Sequence, residues 1–461
     1  MFDSHAHLDR HFFGEAVDAV LDRAFDAGLT GVITIGSDAD PEAMREAAAL
    51  ARRREAVWAA VGVHPHEADR ATESSFATLV ALLDDPRVVA VGETGLDYHY
   101  DLSSQEGQRE VFRRQVRIAA ERGKPLVVHC REAHDDCIRI LSEVPLRPRP
   151  GVIHCFTSDL ATATRYLDLG YLLSIPGVVT FRNAADLVAA VAEVRAEQLL
   201  VETDAPFLAP SPCRGRPNEP AFVRHTIAAI ARIKGLSFED VARITEVNAR
   251  RLFGLPLRET LAPRLTYRIR DSVYVNLTNR CTLRCTFCRK FKDFVVKGHN
   301  LRLPDDPGLD DLRAAIEASE LGSAREVVFC GYGEPLLRLE VVRELAGFVK
   351  SRGIRVRVNT DGLASLVHGR DVPGELVGLV DCLSVSLNAA DAATYARSCR
   401  SRYGEAAFPA VLAFLRRAAE VIPEVVATAV VLPGLDVEAV RRLAEDDLHV
   451  RFRARPLDDM G

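Results

Sequence analysis

Short apolar runs recur along the whole chain, separated by helical patterns rich in Ala, Leu and Arg. In the first half the runs fall at residues 31–35, 57–64, 88–92, 126–128, 151–153, 171–175 and 199–201, after a short opening strand that holds His5 and His7. Eight strands with helices between them predict a (β/α)8 TIM barrel, whose active sites lie at the carboxyl ends of the strands. The polar residues at which the runs stop therefore matter most: Glu93 after 88–92, His129 after 126–128, His154 after 151–153, and Glu202-Thr203-Asp204 after 199–201.

The second half repeats the alternation with six strands, at 273–278, 327–329, 355–359, 382–388, 425–432 and 450–456. That count and the intervening helices predict a parallel (β/α)6 partial barrel, again with ligands at the carboxyl ends of the strands. The whole chain is thus of the α/β class. Two cores are expected, at 1–256 and 271–461, joined by a linker over 257–270 that contains Pro263.

Composition is that of a soluble two-domain enzyme: 461 residues, 48% hydrophobic and 27% charged. The chain opens inside its first strand, leaving no room for a signal peptide, and no apolar run approaches the ~20 residues of a membrane span. Cytoplasm is the expected compartment, where the ten cysteines stay reduced. Residues 1–256 hold 29 Lys+Arg against 37 Asp+Glu, which excludes a basic DNA clamp. A basic stretch from Arg264 to Lys297 suits either a phosphate-bearing substrate or a solvated face. The only tryptophan is Trp58, in a barrel strand, so no aromatic platform for stacking bases is evident.

His5 and His7, two apart on a strand, project from one face. With Glu93, His129, His154 and Asp204 they make a donor set suited to two divalent ions bridged by a carboxylate, an arrangement that serves phosphoryl transfer. Metal-dependent hydrolases of small phosphodiesters or amides share a His-x-His opening, so they remain an alternative. In the second half, Cys281, Cys285 and Cys288 follow the spacing C-x3-C-x2-C. Three thiolates can hold three irons of a four-iron cluster and leave the fourth open to an outside ligand. A structural zinc needs a fourth ligand from farther away, such as His299 or Cys330. The remaining cysteines lack such spacing and read as ordinary thiols. Downstream, the strand at 327–329 runs into Gly331-Tyr332-Gly333-Glu334-Pro335, where glycines let backbone approach a ligand and a carboxylate can pair with an ammonium.

The first half resembles the TatD family of metal-dependent deoxyribonucleases from Asp3-Ser4-His5-Ala6-His7-Leu8-Asp9 to Asn248-Ala249-Arg250-Arg251-Leu252-Phe253-Gly254. Gly62-Val63-His64-Pro65-His66, Gly92-Glu93-Thr94-Gly95-Leu96-Asp97, Val128-His129-Cys130-Arg131 and Glu202-Thr203-Asp204-Ala205-Pro206 stand between them in order. The resemblance implies that His5, His7, Glu93 and Asp204 bind one metal and Glu93, His129 and His154 the other. It also implies catalytic roles for Glu93, Asp204 and His64, and phosphate placement by His64, His66, Arg214, Arg216 and Asn218. The implied activity is hydrolysis of phosphodiester bonds in DNA from a 3′ end with magnesium or a similar ion.

The second half is similar to the radical SAM superfamily, on the cysteine triplet with Phe287 before its last member and on the Gly331 to Pro335 turn. That implies a [4Fe-4S] cluster, S-adenosylmethionine as cofactor, its reductive cleavage to a radical, and an electron donor such as flavodoxin or ferredoxin. Phe287, Gly331, Gly333, Glu334, Pro335, Asn359, Ser386 and Asn388 are the implied cofactor contacts. The chain so read is bifunctional, with a further possibility that the barrel delivers a phosphate-containing substrate to the radical site.

Overall fold

Eight strands lie side by side in chain order in the first half: β1 (Phe2–Ala6), β2 (Gly31–Ser37), β3 (Val57–Gly62), β4 (Val88–Asp97), β5 (Leu126–Arg131), β6 (Gly151–Ile153), β7 (Leu172–Ile175) and β8 (Leu199–Val201). Every neighbouring pair is parallel. The ring closes through backbone bonds from His7 N to the Ala205 carbonyl (2.8 Å) and from Asp204 N to the His5 carbonyl (3.0 Å). This computed structural model describes residues 1–100, 102–145, 149–257, 263–291 and 294–456. It divides into two units, Met1–Arg258 and Glu259–Gly461.

Inside the barrel one layer is built from Phe2, Ile33, Ile35, Trp58, Val89, Val127, Val152 and Leu200, and Leu252, Phe253 and Leu255 close it beneath. Most of these side chains come from the early or middle positions of their strands, so the amino-terminal end is filled with hydrocarbon and the carboxyl end is left for polar groups. Helices cover the outer face. Their starts are marked by side-chain caps, as at Thr72, Ser104, Asp159 and Ser237.

The second unit has six parallel strands, again in chain order. After β9 (Thr266–Ile269) come β10 (Ser272–Asn276), a small pair β11 (Val295–Val296) and β12 (His299–Asn300), then β13 (Glu326–Cys330), β14 (Arg355–Thr360), β15 (Cys382–Ser386), β16 (Glu424–Val430) and β17 (Arg451–Arg455). The sheet order is β17-β16-β15-β14-β13-β10-β9. The expected six strands are β10 and β13 to β17.

β9 corrects the linker reading. It pairs antiparallel with β10, Tyr267 opposite Tyr274, with the two rings stacked at 5.2 Å. Tyr267 and Ile269 are buried while Thr266 and Arg268 are only half-buried, so the polar residues taken as linker are the outer positions of an edge strand. Residues 258–262 of that segment lie outside the described residues.

Among the described residues no helix is long and apolar enough to cross a membrane.

Candidate metal centre and cluster loop

Two glycines set the position of the central carboxylate. A Cβ on Gly92 would stand 2.6 Å from the Val127 carbonyl, and one on Gly95 1.9 Å from the His129 carbonyl. Only glycine lets β4 press this closely on β5. Glu93 therefore sits within the strand, buried at the barrel mouth, rather than at the end of a shorter run.

The two carboxylate oxygens of Glu93 face different groups. Oε2 lies 3.4 Å from His5 Nε2 and 3.5 Å from His7 Nε2. Asp204 Oδ1 is 3.6 Å from each of these nitrogens, which are 3.3 Å apart. Oε1 lies 2.9 Å from His129 Nδ1 and 2.9 Å from His154 Nε2. Donors bound to one ion at about 2.1 Å lie roughly 3 Å apart, so both groups have the spacing of a coordination shell. Glu93 Oε2 is buried with no hydrogen-bond partner, a costly state for a carboxylate unless a cation meets it. The residues present fit two divalent ions.

Burial alone would raise the Glu93 carboxyl, but His154, His64 and His5 outweigh it and hold it well below its usual range. Burial pushes two of these histidines, His5 and His64, down instead. His64 Nδ1 accepts from the His66 backbone N–H (3.2 Å), so the neutral ring carries its proton on Nε2, 3.4 Å from Glu93 Oε1. Burial lowers its pKa to about 4, which keeps the ring neutral near pH 7. It is thus placed as a hydrogen-bond donor into the centre.

Three further carboxylates, none of them among the expected metal ligands, complete the centre. Asp97 Oδ2 receives His129 Nε2 at 3.0 Å and His66 Nε2 at 2.9 Å. Glu202 Oε1 lies 3.2 Å from His154 Nδ1. Asp97 thereby turns the other ring nitrogen of His129 towards Glu93, the usual task of a carboxylate behind a metal-binding imidazole, while Glu202 Oε1 accepts from Cys155 N at 2.6 Å beside His154. Asp3, buried and pushed up to about 8 by that burial, accepts from the backbone N–H groups of His5 and Thr203, tying the strand of His5 to the loop of Asp204. The spacing held a signal for Asp97: Glu93, Gly95 and Asp97 alternate on one strand face. Asp97→Asn is expected to weaken metal binding by about 10- to 100-fold, read by calorimetric titration; unaltered affinity would show that His129 needs no such partner.

His66 is held to Asp97. Arg214 is exposed and lies over the Phe181 ring at 4.4 Å, and Arg216 is exposed. Asn218 is buried, and its amide donates to the carbonyls of Thr203 and Phe207, each at 2.7 Å, so it holds the loop.

In the second unit Cys281, Cys285 and Cys288 are free, half-buried thiols on the loop after β10. The loop is fixed from two sides. Glu334 N donates to the Arg280 carbonyl (2.8 Å), while Arg284 N and Thr286 N donate to the carbonyls of Cys399 and Ser398 (3.1 and 2.9 Å). These bonds bring Cys399, read as an ordinary thiol, beside Cys285, and the neighbouring Cys399 thiol together with burial raises the Cys285 pKa. A Cβ on Gly333 would stand 2.2 Å from the Thr278 carbonyl, and one on Gly331 2.5 Å from Asn276 Oδ1. The glycines therefore let the turn of residues 331–335 close on the cluster loop. Tyr332, between them, donates to the Val295 carbonyl at 3.0 Å and meets Phe294 edge-on, anchoring the β11–β12 pair.

Two expected cofactor contacts have their side chains engaged within the fold. Glu334 is buried, with Oε1 accepting from Thr360 Oγ1 and Leu336 N and Oε2 from Asp361 N, at 2.9, 2.9 and 2.6 Å. Burial and the Asp361 charge raise its pKa, and these bonds tie the turn to β14. Asn388 is buried too, its Oδ1 accepting from Val430 N (3.2 Å) and its Nδ2 lying 3.8 Å from Cys399 Sγ. Asn359 and Ser386 stay half-buried at strand ends, Phe287 is half-buried, and Pro335 is buried in the turn. Asn359 Oδ1 is a buried acceptor without a partner. Free thiols, a glycine-lined turn and this open acceptor fit a cluster and a polar cofactor. Gly333→Ala is expected to destabilise the unit by about 1–3 kcal/mol in thermal unfolding. Gly322→Ala, where a Cβ meets nothing within 4 Å, is the control; equal effects would remove the argument for close packing.

Fold and sites together define a metal-dependent hydrolase of TIM-barrel type joined to a radical SAM enzyme domain. Residues 2–254 match the TatD related DNase family and residues 275–446 the radical SAM superfamily. The chain belongs to the TatD related DNase family. It is 38% identical over 253 residues to YabD of Bacillus subtilis, an uncharacterized metal-dependent hydrolase, covering 98% of that protein and 55% of this chain. It is 39% identical over 264 residues to the 3'-5' ssDNA/RNA exonuclease TatD of Erwinia billingiae, covering 100% of that protein and 56% of this chain. The solved TatD homologue YJJV of Escherichia coli K12 superposes with a TM-score of 0.53 at 30% identity, covering 98% of that chain and 56% of this one.

Proposed function

We propose that the barrel is a two-metal phosphodiesterase that trims single-stranded DNA or RNA from the 3′ end. The observation that carries this reading is the division of Glu93, one oxygen to His5, His7 and Asp204 and the other to His129 and His154. Two divalent ions there, magnesium or a similar ion, supply an activated water and neutralise charge on the phosphate. The chain's own residues hold and aim: Asp97 orients the ligand His129, Glu202 stands beside His154, and His64 donates into the centre, where a phosphate oxygen would be received. The Erwinia relative's name supports this substrate class, as does the acidic balance of residues 1–256, which suits gripping a strand end better than clamping a duplex.

For residues 271–461 the proposal is reductive cleavage of S-adenosylmethionine at a [4Fe-4S] cluster held by Cys281, Cys285 and Cys288, with electrons from a flavodoxin or ferredoxin. The cluster supplies the electron that breaks the sulfonium bond. The cluster loop and the turn of residues 331–335 hold the two groups together, with Asn359 and Ser386 near the cofactor. The domain limits proposed are 1–256 and a second body that begins with β9.

The test is nucleotide release from 3′-end-labelled single-stranded DNA and RNA with magnesium or manganese. Metal-dependent trimming, absent in Asp204→Ala, is expected. Cleavage of a small phosphodiester or amide with neither polymer cut would retire the nuclease reading.

A further inference from the structure

The mouth of the metal centre is edged by exposed aromatic rings that the ligand set does not use. Phe12 and Phe207 are 41% and 45% exposed. They meet edge to face at 5.1 Å, and both stand against the proposed ligand His7, at 6.2 and 5.9 Å. On the side of the second ligand group, Tyr100 is 46% exposed, meets His66 edge-on at 5.5 Å and has the Arg131 guanidinium 4.7 Å over its ring.

Hydrogen bonds hold the two phenylalanines where they are. Phe12 lies on the helix Arg10–Phe13, which buries none of its residues; the cap Asp9 accepts from Phe12 N at 3.0 Å. Phe207 is tied at both backbone ends, its N–H to the Asp204 carbonyl (2.8 Å) and its carbonyl to the Asn218 amide (2.7 Å). The core gains little from these positions, since large apolar rings left this open cost folding energy and mark binding surfaces when they cluster beside a site. What such rings recognise in a strand of nucleic acid is the base face. Aromatic stacking accepts any base, and an arginine plane over a tyrosine extends the platform. In a duplex those faces are already stacked and paired. A barrel of net acidic charge draws little affinity from the phosphate backbone, so stacking has a correspondingly larger share.

We propose that Phe12–Phe207 and Tyr100–Arg131 are two base-stacking subsites, one on each flank of the metal centre, that grip the nucleosides on either side of the scissile phosphate of a single strand. The inference rests on the phosphodiesterase reading and deepens it. It also reverses the expectation that the chain lacks a stacking platform.

The experiment is fluorescence anisotropy of a 5′-labelled single strand on the full chain with calcium in place of magnesium. The strand is compared with one whose two 3′-terminal bases are replaced by abasic sites. Each stacked base accounts for about 5- to 150-fold, so wild type is expected to lose at least ~30-fold in affinity when both bases are removed. The pair Phe12→Leu with Phe207→Leu should bind the intact strand more weakly and lose the share of one base from the response, the share of Tyr100–Arg131 remaining, and Phe→Tyr at both positions should restore the difference. Wild-type binding indifferent to the bases overturns the inference without recourse to any variant, as do Leu variants that keep the full abasic effect. Should wild type trim DNA yet show such indifference, the subsites fall and the phosphodiesterase stands. Should it neither bind nor trim any strand, the phosphodiesterase reading itself falls.

Discussion

Glu93→Ala is expected to empty both halves of the barrel site at once and to lower phosphodiester turnover by at least ~10³-fold, as loss of several kcal/mol of charge stabilisation requires. Its two oxygens join the His5–His7–Asp204 group to the His129–His154 group. Removing the side chain also leaves the other five ligands without the carboxylate that lies between the two groups. Asp204→Ala deletes a donor from one group only, and its metal loss should be confined to that half. The comparison is made by metal analysis and by rate with manganese. A Glu93→Ala protein that still holds its metals would place the bridge elsewhere.

Replacing Cys281, Cys285 or Cys288 by Ser is expected to prevent assembly of the iron-sulfur cluster, whereas Cys399→Ala should leave it. The contrast matters because Cys399 is buried against the loop, with its carbonyl bonded to Arg284 N and its thiol beside Cys285. A fourth protein ligand would close the cluster, and a closed cluster has no open iron for an outside ligand. Visible absorbance after anaerobic reconstitution distinguishes the cases, and 5′-deoxyadenosine formed with S-adenosylmethionine and reductant reports the chemistry. If Cys399→Ala loses the chromophore as fully as Cys285→Ser, the open-iron account is wrong.

Both architectures were legible because parallel strands covered by helices are apolar runs, and such runs stop where a polar residue enters the site. His129, His154 and Asp204 were found that way. Asp97 and Glu202 were harder to see, since a carboxylate behind a histidine has no spacing rule of its own; only their meeting in space gives them a role. Glu334, Asn388 and Asn218 show the converse. Each occupies a position suggestive of ligand contact, and each has its polar atoms taken up by backbone groups or neighbouring side chains that no sequence pattern foretells. β9 was missed because a four-residue strand beside Pro263 looks like linker until its partner β10 is known.

The measurement closest to the central claim is a count of manganese ions bound per chain after the barrel has been stripped with chelator, followed by titration against turnover. Two ions bound, with phosphodiester hydrolysis complete only when the second is in place, is the result the divided carboxylate requires. Full activity at one ion per chain would contradict it, and Glu93 would then be a ligand of a single metal.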